Sequence, residues 1–310
     1  MLKRNVLIFH AGALGDFLLT WPLALGLARI HPQSRIIYVT HPEKGKLADK
    51  VLGVEAASIE MGWHHLLGDP SKLPAAAARL LGSAHSIYSY ISTGDDDWSR
   101  AVKSASAGAS LVCLNPAPPA DWQRHQTEWV LSQMGSTFAA AEAMRQMICF
   151  IRDRGLKQRP RPVRNVLIHP GSGSPAKCWP VERFVELART LMADGKRVRF
   201  VLGEVELERW PASRAAILEQ LAPVERPATY MDLLGLLSEA AAFVGNDSGP
   251  AHLAAMLGVP TVALFGVTNP AIWQPIGPAV EIVSGPAMDA IDVRQALDAL
   301  RALMQPAGVK

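Results

Sequence analysis

One arrangement occurs in both halves of this chain: a short aliphatic run, then a glycine-bearing loop, then an amphipathic stretch with helical spacing. In the N-terminal half, Val6–Phe9 leads into His10–Gly15 and then Asp16–Ile30, where Phe17, Leu18, Trp21, Leu25 and Ala28 share one helical face. In the C-terminal half, Val166–His169 leads into Pro170–Ala176 and then Val181–Ala193. A second aliphatic run closes each set, Arg35–Thr40 and Val198–Leu202. Strand, short loop, helix and strand form the parallel-sheet unit, because parallel neighbours need a crossover long enough to hold a helix. A chain of 310 residues suits two such domains. The expected fold is therefore α/β, with two Rossmann-like, doubly wound parallel-sheet domains facing an interdomain cleft. Ligands are expected beyond the carboxyl ends of the strands.

The same reading assigns the remaining segments. Lys46–Val51, Leu73–Leu81 and Asp121–Met134 read as helices, and Val54–Ile59, His85–Ile91 and Ser110–Leu114 as strands. Asp95, Asp96 and Asp97 read as a solvated turn. Arg152–Asn165 is basic, carries two prolines and has no apolar period, so it is the expected linker between domains 1–155 and 156–310. Beyond it, Met231–Ala241 and Ala251–Leu257 read as helices, and Ala242–Val244 and Thr261–Phe265 as strands. The last helix is free to pack back on the N-terminal domain.

Composition excludes several classes. The charge balance is 31 basic to 28 acidic residues, too even for a nucleic-acid-binding face but suited to an anionic substrate. Three scattered cysteines, Cys113, Cys149 and Cys178, form no CxxC pair, which fits reduced thiols in a cytoplasmic protein. Lys3 and Arg4 before Val6–Phe9 mimic a leader, but His10 and Asp16 interrupt the apolar run. No stretch of about 18 apolar residues is available to span a membrane.

Three loops and one carboxylate carry candidate chemistry. Gly12 and Gly15 let the first loop turn sharply, and Asp16 follows at the start of the next helix. On this motif alone a helix-capping aspartate is the simpler account. The spacing is GxxGD rather than GxGxxG, and Thr40 and His41 stand where a dinucleotide site wants an acid. In the second loop, His169–Pro180, the hydroxyls of Ser172 and Ser174 and the ammonium of Lys177 suit phosphate oxygens; an ordinary turn with an exposed lysine would read the same way. The third, Val244–Pro260, puts Gly245-Asn246-Asp247-Ser248-Gly249 before a helix start, where free N–H groups favour an anion. Here Asp247 could equally cap the helix, and His252 could be a packed core histidine. Glu206, just past a strand, could accept two ribose hydroxyls or be a solvated loop carboxylate.

Taken together, these residues resemble glycosyltransferase family 9, the ADP-heptose:lipopolysaccharide heptosyltransferases. The likeness runs through three blocks: Arg4–Thr40 with Thr20-Trp21-Pro22 and Leu25; Val166–Leu191 with its P-G…K-x-W-P pattern; and Phe243–Phe265 with Asp-Ser-Gly-Pro-x-His. Thr93–Ala120 departs from the basic pattern the family carries there. The resemblance implies a GT-B fold and inverting transfer with no required metal or other cofactor. It implies Asp16 as general base, with Gly12 and Gly15 in the loop on the acceptor side. It implies Ser172, Ser174, Lys177, Asp247, Ser248, Gly249 and His252 around the donor diphosphate, and Glu206 on the ribose. The partners implied are a nucleotide-sugar donor, ADP-heptose by resemblance, and a saccharide or lipid-linked saccharide acceptor, with no nucleic acid. The expected location is the cytoplasm, with peripheral contact at the inner-membrane surface through the basic linker. The alternatives are a related transferase with another donor or acceptor, and an inactive nucleotide-sugar-binding protein.

Overall fold

The computed structural model describes residues 5–135, 139–158 and 165–305. The chain divides into two compact units, Met1–Met147 and Ile148–Lys310.

The first unit contains β1 (Asn5–Phe9), α1 (Leu14–Leu19), α2 (Trp21–Ile30), β2 (Arg35–Thr40), α3 (Pro42–Leu52) and β3 (Glu55–Ser58). It continues with α4 (Ala75–Gly82), β4 (Ala84–Ser89), α5 (Asp97–Ala105), β5 (Ser110–Cys113) and α6 (Gln126–Ser132). A long helix, α7 (Ala140–Gln158), begins in this unit and ends in the second. All five strands are parallel, in the order β3-β2-β1-β4-β5. The central strand β1 is buried along its whole length, as expected where both faces of a parallel sheet are covered. Leu7, Phe9, Ile37, Val39 and Ile87 pack against Trp63, Leu66 and Leu81 on one face.

Several boundaries differ from the sequence reading. The single helix expected over Asp16–Ile30 is two helices, because Pro22 lacks the N–H that would bond back to Leu18. Thr20 fills the joint, its Oγ1 donating to the Phe17 carbonyl at 2.7 Å and meeting the Tyr38 hydroxyl at 2.7 Å. The helix expected over Asp121–Met134 is only Gln126–Ser132, since the His125 ring nitrogen Nδ1 accepts the Thr127 N–H and starts the helix there. Asp96 is not a solvated turn residue but the cap of α5, accepting from the N–H groups of Thr93 and Ser99. The basic stretch read as linker continues α7 as far as Gln158, with Met147 and Ile151 buried one helical turn apart. Residues 159–164 of that stretch lie outside the described residues.

The second unit contains β6 (Asn165–His169), α8 (Val181–Ala193), β7 (Arg197–Val201), α9 (Glu204–Arg209), α10 (Ala212–Glu219) and β8 (Val224–Glu225). Then come α11 (Tyr230–Ser238), β9 (Ala242–Asn246), α12 (Gly249–Met256), β10 (Thr261–Phe265), α13 (Pro270–Trp273), β11 (Val280–Ser284) and α14 (Val293–Met304). Its six parallel strands run β11-β10-β9-β6-β7-β8, the doubly wound order. The last helix, α14, packs Val293, Ala296, Leu297 and Leu300 into this unit's own core with Trp179, Phe184 and Leu187. Strand order reverses between β6 and β9. The crevice at a doubly wound sheet's ligand-binding point therefore lies beyond His169 and Asn246.

Candidate active site

Two loops leave that crevice, one after β6 and one after β9, and a single buried side chain joins them. Asn246, fully buried at the end of β9, donates through Nδ2 to the carbonyls of Pro170 (3.0 Å) and Gly171 (3.1 Å). Its Oδ1 accepts the Trp179 N–H at 3.0 Å. Both ends of the Pro170–Trp179 loop are thereby fixed to β9. Ser172 adds a further tie, its hydroxyl donating to the Asp247 carbonyl at 3.0 Å. Trp179 is itself fully buried, and its indole N–H donates to the Ile291 carbonyl at 3.1 Å.

The centre of the site is Asp247. Its Oδ2 accepts from the Lys177 ammonium at 2.7 Å and from the Thr268 hydroxyl at 2.8 Å. The His252 Nε2 stands 3.8 Å from Oδ1. Burial alone would raise the Asp247 carboxyl. His252, Lys177 and Thr268 outweigh it and hold the group at about 2. Asp247 does not cap α12: the residue before that helix is Ser248, in extended conformation. The carboxylate instead gathers groups from the loops after β6 and β10 and from the first turn of α12.

This arrangement leaves donors over. At the start of α12, Ala251 and His252 donate their N–H groups to the Ser248 carbonyl and Pro250 has none, which leaves the Gly249 N–H without a partner inside the helix. Among the described residues the buried atoms Ser248 Oγ and His252 Nδ1 also have no hydrogen-bond partner. Lys177 is half-buried, with only one carboxylate oxygen on its ammonium. A patch with an ammonium, a hydroxyl, an imidazole and a helix start is built to receive an anion with several oxygens. Ser174 lies directly before the short turn Pro175–Lys177.

Glu206 is buried, in the first turn of α9, and so is not the solvated loop carboxylate that was one of its two readings. Its Oε2 accepts the Gly203 N–H at 2.8 Å. Its Oε1 lies 1.8 Å from where a Cβ on residue 171 would stand, so Glu206 packs into the space that the glycine leaves open. The acid expected at a ribose is therefore pressed against the phosphate-type loop of the same sheet.

In the N-terminal unit, the loop after β1 carries Gly12, Gly15 and Asp16. Asp16 is exposed in the first turn of α1, so the carboxylate is presented to solvent and not consumed as a cap; the cap position is Ala13. His10, at the end of β1, is buried, with its ring 5.5 Å from those of Phe17 and Tyr90. Burial first, then the neighbouring Lys44 and His41, pull its pKa down to about 3, so the imidazole is neutral. Lys44 donates to the Gly12 carbonyl.

Sequence reasoning did not single out Asn246, Thr268 or Lys44. Asn246 stood inside the third motif, and a polar residue closing an otherwise apolar strand was the available signal. Thr268 and Lys44 gave none, because their partners are distant in sequence. No group of three or more histidines, cysteines or acids gathers as a metal-holding set among the described residues. No described helix is long and apolar enough to cross a membrane.

Residues 83–300 match glycosyltransferase family 9 (heptosyltransferase). The chain belongs to glycosyltransferase family 9. Among curated relatives, lipopolysaccharide heptosyltransferase 1 of Campylobacter coli is 27% identical over 33% of this chain and 31% of its own length. Lipopolysaccharide heptosyltransferase 3 of Escherichia coli is 32% identical over 32% of this chain and 30% of its own. The aligned stretch thus spans about a third of each. Among solved structures, a family 9 glycosyl transferase from Veillonella parvula superposes with a TM-score of 0.70 at 19% identity, covering 98% of both chains. The E. coli heptosyltransferase WaaC with ADP gives 0.69 at 17% identity, over 96% of this chain and 99% of that one. The two parallel-sheet α/β units are the GT-B fold of these family members.

Proposed function

We propose that this family 9 protein is an inverting glycosyltransferase that moves a sugar, heptose by resemblance, from a nucleoside-diphosphate donor to a lipopolysaccharide-type saccharide. The observation that carries the reading is the Asp247-centred cluster at the switch point of the second sheet. Its unspent donors suit a diphosphate, and its relatives include a heptosyltransferase solved with ADP.

In this reading Lys177, Ser248, Gly249 and His252, with Ser172 and Ser174 on the neighbouring loop, face the donor's phosphates. Asp247 holds Lys177 in place. Glu206 meets the ribose. Asp16 takes the proton of the acceptor hydroxyl as the oxygen attacks the anomeric carbon. The bond from that carbon to the diphosphate breaks, the electron pair leaves with the nucleoside diphosphate, and configuration inverts. Charge growing on the leaving group is met by Lys177 and the start of α12, a role a divalent metal fills elsewhere, so no metal is required. The protein is read as cytoplasmic, meeting a lipid-linked acceptor at the membrane surface.

Titration calorimetry with ADP, UDP and GDP tests the donor site, and transfer from ADP-heptose to heptose-deficient lipopolysaccharide tests the reaction. A base contributes about 10²–10⁴ in rate, so Asp16→Asn lowers kcat by that order and leaves ADP affinity within twofold. Full activity in Asp16→Asn removes the base from the scheme. Affinity for UDP with none for ADP reassigns the donor.

A further inference from the structure

Lys44 is placed where a lysine is costly to the fold. It is 5% exposed, and a buried ammonium with no carboxylate in direct contact is expensive. It also sits in the first turn of α3, where the helix dipole disfavours a cation. Among the described residues it forms no ion pair, and its ammonium donates a single hydrogen bond, to the carbonyl of Gly12. A methionine would fill the same space without either penalty.

The surrounding chain is arranged to keep it there. The next residue, Gly45, lets α3 lie against β3 so closely that a Cβ would stand 2.7 Å from that of Ala56. This close approach fixes the first turn of α3 beside the loop after β1. His10, which also faces Lys44, is neutral, so it neither repels the ammonium nor supplies a counter-charge. His41, ahead of α3, is turned to Glu60, with Nδ1 3.6 Å from Oε1. The carboxylate that favours the charged lysine, against the effect of burial, is Asp16. A cation held at a structural loss beside one exposed carboxylate marks a functional arrangement.

We propose that Lys44 is the positioning residue of Asp16: it clamps the Gly12 carbonyl, and so the loop and first turn of α1, and sets a fixed positive charge beside the base. This inference rests on the reading of Asp16 as general base. Lys44 does not touch substrate; it acts through the loop. Small errors in the position of a reacting group cost up to about 100-fold in rate. Removal of the clamp therefore lowers kcat by about 10–100-fold without changing the donor site.

The test is a double-mutant cycle on the intact protein with Lys44→Met, Lys44→Arg and Asp16→Asn, alone and combined. It follows transfer from ADP-heptose to heptose-deficient lipopolysaccharide, with ADP calorimetry and a melting curve for each variant. The expected results are a 10–100-fold fall in kcat for Lys44→Met, KM for ADP-heptose and ADP affinity within twofold, and substantial recovery in Lys44→Arg. Adding Lys44→Met to Asp16→Asn should cost nothing further, because both act on one step. An additive loss overturns the proposal, as does wild-type kcat in Lys44→Met beside an inactive Asp16→Asn. Equal loss in the arginine variant with a matching fall in melting temperature does so too, since that is a packing defect. Full activity in Asp16→Asn rejects the base reading, and the Lys44 proposal with it.

Discussion

Asp247→Asn tests whether the central carboxylate works as a charge. The substitution keeps size and shape but removes the anion that Lys177, Thr268 and His252 face. The wild-type carboxyl is held at about 2, below its ordinary 3.8. A depressed carboxyl stabilises the fold fully above its unfolded value and loses that contribution as pH falls towards the folded one. The difference, at about 1.4 kcal/mol per pH unit, corresponds to about 2 kcal/mol at neutral pH. About half of it is gone by pH 3. Asp247 is 6% exposed, so solvent screens the pair little. Urea unfolding at pH 7, 5 and 3, followed by hydrogen exchange in peptides from β6 and β9, reads the second unit alone. The wild type should exceed Asp247→Asn by about 2 kcal/mol at pH 7 and 5, and by about 1 kcal/mol at pH 3. Other carboxylates titrate in both proteins and cancel in the difference. A gap that stays constant from pH 7 to pH 3 would show that the loss comes from packing and not from charge.

Two further substitutions probe the scaffold of the site. Asn246→Ala leaves the Trp179 N–H and the Pro170 and Gly171 carbonyls without their buried partner, so unfolding free energy should fall by about 2–4 kcal/mol and ADP affinity should fall with it; a wild-type urea midpoint would show the loop is held otherwise. Gly171→Ala puts a methyl group on the Glu206 carboxylate, with an expected loss of about 1–3 kcal/mol in the same melts, and a neutral result would mean that Glu206 swings away freely.

The parts of this molecule legible in its sequence are those whose signal is local. The apolar runs at Val6–Phe9, Val166–His169 and Thr261–Phe265 are strands because a buried parallel strand is apolar throughout. The glycine loops and the helix start at Gly249 follow from short-range backbone rules. What the sequence hid depends on contacts across the fold. Asp96, between two other acids, reads as a charged turn until its partners Thr93 and Ser99 show it to be a cap. Glu206 looks solvated beside Glu204 and Glu208, and is buried in the space that Gly171 leaves open. Thr268 meets Asp247 from the next strand's loop, 21 positions along, and Lys44 reaches Gly12 across 32; neither distance has a period that could announce it. Asp16 was the reverse case. Its motif was compatible with a cap, and only the fold shows the carboxylate left exposed.

Trp179 stands two positions after Lys177, and its two nitrogens bond to different parts of the chain. The backbone N–H is held by Asn246 at the sheet's centre, and the indole N–H by Ile291, just ahead of the final helix. The loop carrying the lysine is therefore braced from the far end of the chain. Changes in the 288–300 region, remote from any phosphate, are felt at the ammonium through one indole ring. The final helix and the lysine loop are thus not independent: a substitution that shifts α14 must either preserve the Ile291 carbonyl or be matched by a change at position 179.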